Sequence, residues 1–262
     1  MSSRNPTPDP TGLKNLPGFS SFRFFPSIGS TNDEALAWAA TGAKDLSLVV
    51  ADAQTAGRGR MGRSWFTPPD SALAFSLIIR PKGVEREFIG RFSGLGALAL
   101  VAALKKYGIA AQIKWPNDVL INRRKTAGIL VETVWMGAEV DSVVLGMGVN
   151  VTPESVPPPE GLNFPATCLH SEGPKAPPRF DLLKTLLTEL ISLRATLASD
   201  GFLQAWDESL AFRGETVHVW EGETQPLVGQ ILGLETDGSL RVSTSSAQTR
   251  VIRFGEVHLR PV

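Results

Sequence analysis

Ala53-Gln-Thr-Ala-Gly-Arg-Gly-Arg-Met-Gly-Arg-Ser-Trp65 sets three glycines (Gly57, Gly59, Gly62) against three arginines (Arg58, Arg60, Arg63) within seven residues. A loop lying against a phosphate or carboxylate needs backbone freedom for close approach and fixed positive charge for neutralisation. The run follows a strand-like segment over residues 46–51. It lacks the lysine and Ser/Thr of a Walker phosphate loop, and it opens no strongly patterned helix. Taken alone, it fits an anion site and a solvated Arg/Gly loop equally well.

Outward from this loop, apolar periodicity alternates between strand and helix. Residues 19–25 read as a strand. Ser30-Thr-Asn-Asp-Glu34 reads as a helix start, with Thr31 and Glu34 in capping-box spacing. Residues 72–80 form a strand on the far side of the loop, and 88–107 a helix ended by Gly108. Short strands are expected at 111–114, 119–121 and 128–135, the last two joined by a turn at 122–124. Gly146 and Gly148 interrupt a further strand at 143–151 and suggest close backbone approach by a ligand. Residues 152–178 are Pro-rich and read as a surface loop, followed by helices at 180–197 and 202–210. After Phe212, short strands broken by Gly222, Gly229, Gly233, Gly238 and Gly255 indicate a small β-barrel. The expected organisation is a disordered Pro-rich lead-in (1–18), an α/β unit with a mixed sheet and helices (19–211), and the barrel (212–262).

The 262-residue chain balances 26 Lys and Arg against 26 Asp and Glu, so any anion site must be a local concentration of charge. One cysteine, Cys168, excludes an internal disulfide and a Cys-rich zinc site, and it reads as a small buried hydrophobe. His218 and His258 have no metal-ligand spacing. No apolar run is long enough to span a bilayer, and the N-terminus has no secretory apolar region. These features predict a soluble, cytoplasmic protein.

Four separated blocks belong together: Gly29-Ser-Thr-Asn32; Gln54 through Trp65; Lys114-Trp-Pro-Asn-Asp118 running on through Lys125-Thr-Ala-Gly-Ile-Leu-Val-Glu132; and Gly146-Met-Gly-Val-Asn150. In this order and spacing the chain resembles biotin–protein ligases, densely over residues 19–151 and more loosely to the end, where the family carries an SH3-like domain. The resemblance implies that biotin's carboxylate attacks the α-phosphate of MgATP, giving biotinyl-5′-AMP and pyrophosphate. A lysine of a biotin carboxyl carrier domain then receives the biotinyl group. It also implies site residues. Lys125, Arg60 and Arg58 are expected in catalysis. Around biotin it places those three with Ser30, Thr31, Asn32, Gln54, Gly57, Gly59, Gly128, Gly146 and Gly148. Around ATP or the adenylate it places Arg58, Arg60, Arg63, Lys114, Asn117, Asp118 and Asn150, with Trp65 as a wall for adenine. Asp118 is also a candidate hold on Mg²⁺ or the phosphates, and Arg260 resembles a family arginine that approaches from the small domain. Met61 stands where some members have arginine, so no charge-based role is expected there. The chemistry suits these residue types. Two anions must meet, which fixed cations assist, and a ureido ring needs a few aimed hydrogen bonds in an apolar slot.

Each block also has a plain structural reading. Residues 30–34 can be a helix cap, Trp115 a packed turn, Gly146 and Gly148 a bulge, and Lys125 a solvated lysine beside Arg123 and Arg124. Only the joint pattern favours function. A lipoate–protein ligase or octanoyltransferase shares the fold, and the Gly/Arg loop with the 114–118 block favours biotin over it. A biotin-responsive transcription factor needs an N-terminal winged helix-turn-helix, for which roughly 20 preceding residues are too few, and no DNA binding is expected. A non-catalytic adaptor fits poorly with every charged motif residue present. Family members include monomers and homodimers, and either state is compatible with this sequence. The loop arginines are expected to repel one another and to disorder the loop until an adenylate neutralises them.

Overall fold

The computed structural model describes residues 15–16, 19–160, 162, 164–173, 176–221, 225–244, 248–253 and 257–261. The expected lead-in lies outside these residues except at Asn15 and Leu16, and Gly222 and Gly255 lie outside them too. Seven strands form the main sheet: β1 (Ser21–Ile28), β2 (Ser47–Gln54), β3 (Ala72–Ile79), β4 (Gln112–Lys114), β5 (Asp118–Ile121), β6 (Arg124–Met136) and β7 (Glu139–Asn150). Their order is β1-β2-β3-β7-β6-β5-β4, parallel between β1 and β2 and antiparallel elsewhere.

Period-two patterning gives this sheet two different faces. On one, Leu73, Phe75 and Leu77 of β3 and Leu145, Met147 and Val149 of β7 enter the main core. Helices α2 (Arg91–Lys106) and α4 (Arg179–Arg194), the latter preceded by the single turn α3 (Leu169–Glu172), contribute Leu95, Leu100, Leu183 and Leu187 to that core. Each fully buried leucine adds about 2 kcal/mol of transfer free energy. On the other face, α1 (Thr31–Ala40) packs Ala35 and Ala39 against Val49, Ile78 and Val144. Among the described residues α1 is the one helix packed on that face, and the Gly/Arg loop lies over the remainder.

After α5 (Asp200–Glu208) a second sheet is formed by β8 (Thr216–Glu221), β9 (Leu227–Leu234), β10 (Leu240–Thr244), β11 (Thr249–Ile252) and β12 (Val257–Pro261). It is antiparallel, in the order β11-β10-β9-β8-β12. Its buried Val217, Val219, Ile231, Leu240, Val242 and Ile252 join the same hydrophobic cluster as the first sheet. The β9–β10 turn is fastened to the main unit through polar groups. Thr236 O accepts from Arg91 Nε and Nη2 at 2.9 and 2.6 Å, and Gly238 O accepts from Trp115 Nε1 at 3.0 Å.

Three expectations need correction. The capping box at the start of α1 does not form: Ser30 is the N-cap without a side-chain cap bond. Thr31 instead turns inward, its N–H and Oγ1–H both donating to Gln54 Oε1 at 2.8 and 3.1 Å, while Glu34 pairs with Arg23 at 2.7 Å. Residues 152–178 are not a plain loop, since they contain a 3-10 turn at Pro153–Ser155 and α3. The Gly/Arg loop is folded back as a hairpin, with Gly59 N–H donating to Arg63 O at 2.7 Å and Trp65 N–H to Gly57 O at 2.8 Å. The 122–124 turn does form, with Asn122 and Arg123 at φ 48° and 60°. Among the described residues, no helix is long and apolar enough to cross a membrane.

Candidate active site

The Gly/Arg hairpin closes over the half-covered sheet face and leaves a cavity of about 920 Å³. The cavity is lined by Ser30, Thr31, Asn32, Gln54, Gly57, Arg58, Gly59, Arg60, Arg63, Trp65, Lys114, Asn117, Asp118, Lys125, Gly128, Gly146, Gly148 and Asn150, so every expected site residue reaches it. Arg260, from β12, lines it as well. The volume suits a small-molecule site.

Strand register orders the cavity. Gly146 pairs with Leu130, and two residues further along, Gly148 pairs with Gly128. At the first pair lies Asn32, whose Oδ1 would stand 1.9 Å from a Cβ added to Gly146. At the second lies the Trp65 indole, 2.2 Å from a Cβ added to Gly148 and 3.1 Å from one added to Gly128. These glycines therefore make room for side chains of the chain itself, where the sequence pattern suggested a ligand against bare backbone. Trp65 Nε1 is buried there without a hydrogen-bond partner among the described residues.

The polar end is tightly knit. Gln54 Oε1 fixes Thr31, and Gln54 Nε2 donates to Thr67 Oγ1 at 3.1 Å. Ser76 Oγ, fully buried on β3, lies 2.9 Å from Thr31 Oγ1 and 2.5 Å from Asn32 Oδ1. Asn32 Nδ2 donates to Glu132 Oε2 at 2.8 Å. Both donors and acceptors of the slot are thus held in fixed orientations by the chain's own hydrogen bonds.

The cationic end is built around Asp118. Its carboxylate meets Lys125 Nζ at 2.5 Å and Lys114 Nζ at 3.2 Å. Burial alone would raise its pKa, but attraction to Lys125 and Lys114 outweighs that and holds it at about 2. Burial pushes Lys114 down, against the attraction of Asp118. Lys125 Nζ also lies 5.5 Å from the Trp65 ring centroid. Arg60 is depressed chiefly by burial, with neighbouring Arg63 adding to the shift, and its Nη1 donates to Asn117 Oδ1 at 3.2 Å. Asn117 Nδ2 in turn donates to Ile129 O at 2.9 Å. Asn150 is buried and spends its amide on Thr167 O at 3.0 Å, which ties the 152–178 segment to the sheet.

Arg58 differs from its loop neighbours. Its guanidinium is paired with Glu132 at 3.0 and 2.7 Å and with Asp33 at 2.7 Å, and the bonds to Glu132 lead in raising its pKa. Asp118 does not have the surroundings of a metal ligand, because both its oxygens face ammonium groups. Among the described residues no cluster of His, Cys, Asp and Glu could hold a metal ion. Sequence reasoning gave no role to Ser76, Asp33 or Glu132. For Glu132 a signal existed: strand alternation puts it on the same face of β6 as Gly128 and Leu130.

Comparison with known proteins identifies the family. Residues 24–150 match the Biotin/lipoate A/B protein ligase family. A biotin–[acetyl-CoA-carboxylase] ligase of Mycobacterium tuberculosis is 41% identical, over 88% of this chain and 86% of its own length. A bifunctional ligase/repressor of Bacillus spizizenii is 33% identical, over 86% of this chain and 70% of its own length. The solved structure of a biotin protein ligase from Aquifex aeolicus, in complex with biotin and ATP, superposes with a TM-score of 0.78 at 27% identity, over 93% of this chain and 100% of that one. On sequence and fold together, the chain belongs to the biotin–protein ligase family.

Proposed function

We propose that the chain is an ATP-dependent biotin–protein ligase that takes biotin at the Asn32 end of the cavity and the nucleotide at the Lys125 end. The observation that carries this reading is the meeting of both ends in one cavity. A fixed amide and hydroxyl set (Thr31, Asn32, Gln54) lies along the same strands as a group of buried or half-buried cations (Arg60, Lys114, Lys125).

In the first step a biotin carboxylate oxygen forms a bond to the α-phosphorus of ATP. The bond from that phosphorus to the bridging oxygen breaks, and pyrophosphate leaves. In the second, the neutral amine of a carrier lysine bonds to the acyl carbon, the carbon–oxygen bond to AMP breaks, and the nitrogen loses a proton. Ser30, Thr31, Asn32 and Gln54 hold the ureido ring, and Gly57 and Gly59 let the loop approach. Lys125 faces the carboxylate and the phosphate, and Arg60 and Arg63 neutralise the phosphates from the loop. Asp118 aims Lys125 and Lys114, and Asn117 aims Arg60. Trp65 separates the biotin tail from the nucleotide side, where Asn150 anchors the wall. Mg²⁺ enters with the triphosphate, and no side chain is assigned to it. Preorganised cations of this kind act where charge develops, which is where electrostatic catalysis is strongest.

The same proposal takes residues 19–211 as the catalytic domain and 212–262 as an SH3-like domain. It also takes a biotin carboxyl carrier domain as acceptor, and the cytoplasm as location. ATP–pyrophosphate exchange by the purified chain, run in parallel with biotin, lipoate and octanoate, tests it. Exchange with biotin alone is expected. Exchange only with lipoate or octanoate would move the chain to the sister branch of the family, and none with any acid would overturn adenylate chemistry.

A further inference from the structure

Glu132, two residues beyond Leu130 on β6, bridges Asn32 and the Gly/Arg loop. One of its oxygens accepts from Asn32, and both accept from Arg58 in the Gly/Arg loop. Asn32 is thereby fixed from both sides, its Oδ1 facing Ser76 Oγ and its Nδ2 facing Glu132. Arg58 is held by Asp33 as well, so two carboxylates surround one guanidinium and the cluster carries one net negative charge. Arg58 therefore brings no surplus positive charge to a phosphate. Its forked bond to Glu132 is instead a joint between the loop and β6, and forked bonds of this type fix geometry as well as charge. Beyond Arg58 the loop turns through Met61, at φ 59°, and carries Arg60 and Arg63 to the cavity.

We propose that Glu132 is a positioning residue with two arms. Through Arg58 it clasps the Gly/Arg loop so that Arg60 and Arg63 stand over the cavity, and through Asn32 it sets the amide that meets the acid's ring. The second arm rests on the function proposed above. The first depends only on the chain's own contacts.

The test uses the full chain with E132A, E132D, R58A and the double variant E132A/R58A. Limited trypsin cleavage within residues 57–63 is followed by mass spectrometry, and acid KM is taken from pyrophosphate exchange. E132A is expected to speed cleavage in the loop by about ten-fold, the factor for losing one charge-assisted hydrogen bond, with cleavage elsewhere unchanged. E132D restores most of the protection. In the double variant, cleavage after Arg60 and Arg63 stays within about two-fold of R58A alone, because both substitutions break the same joint. Biotin KM in E132A rises by about ten-fold through the Asn32 arm. Unchanged loop cleavage in E132A, additive effects in the double variant, or faster cleavage throughout the chain would each overturn the proposal. Failure of the unmodified chain to exchange with biotin would instead overturn the functional reading, and the loop measurement would still decide the clasp.

Discussion

Replacing Gly146 by alanine probes the head of the slot with a single carbon. The added methyl would stand 1.9 Å from Asn32 Oδ1 and 2.7 Å from its Cγ, so the amide has to move. Asn32 is only 4% exposed, and its amide is held by Ser76 at 2.5 Å and Glu132 at 2.8 Å. Displacement therefore sacrifices both bonds. A neutral hydrogen bond is worth about 1 kcal/mol and one to a charged group about 2 kcal/mol, giving a loss of about 3 kcal/mol. The backbone itself tolerates alanine, since Gly146 lies in regular antiparallel pairing with Ser76 and Leu130. If Asn32 meets biotin, the lost orientation raises biotin KM by about a hundred-fold, since each 1.4 kcal/mol is a factor of ten. ATP KM, governed by the other end of the cavity, should change by less than about three-fold. The assay is pyrophosphate exchange with each substrate varied in turn, beside a thermal melt to establish that the variant is folded. A folded G146A with biotin KM within about three-fold of the unmodified chain would refute the placement of biotin against Asn32.

Three further outcomes are expected. Lys125→Met removes the cation nearest Asp118 and should lower exchange turnover by about 10²–10³-fold, as for loss of one preorganised donor, with a smaller change in acid affinity measured by calorimetry. Asp118 titrates at about 2 in the folded chain against an ordinary 3.8, so its pairing contributes about 2 kcal/mol that is fully present above pH 3.8 and lost as pH falls toward 2. Denaturation of Asp118→Asn across that range should show a flatter acid limb than the unmodified chain. Gly94→Ala places a methyl 2.5 Å from the Trp206 ring where α2 meets α5, and should destabilise by about 1–3 kcal/mol in urea while leaving both KM values unchanged.

Legibility differed between levels. The strands were readable because β3 and β7 are apolar runs of strand length bounded by turn residues, and the turn at 122–124 because its residues tolerate positive φ. The gathering of the motif residues was readable too, in that they line one cavity. What the sequence concealed was partnership. Thr31 and Glu34 stand at the spacing of a capping box, yet Gln54, 23 residues from Thr31, takes both donors of Thr31. Arg58 looks identical to Arg60 and Arg63 in a one-dimensional reading, and only the return of β6 brings Glu132, 74 residues away, to neutralise it. Ser76 lies in an unbroken apolar run, and nothing local marks it as the residue that orients Asn32. Residue type and spacing identify which groups gather. The long-range register of the sheet decides which partner each charge meets.

The fastening of the β9–β10 turn bears on how this chain can be cut. Arg91 is 2% exposed, and its guanidinium depends on Thr236 O for two of its contacts, while Trp115, next to the segment bearing Asn117 and Asp118, gives its indole N–H to Gly238 O. A fragment ending near residue 212 would lose these acceptors and open the shared apolar cluster to water, so it would not serve as a minimal soluble enzyme. The same dependence makes the 212–215 segment, between α5 and β8, a natural place to split the gene. Two halves, each incomplete and each carrying one side of the interface, would regain adenylate chemistry only when brought together, which is the behaviour wanted of a proximity-triggered reporter.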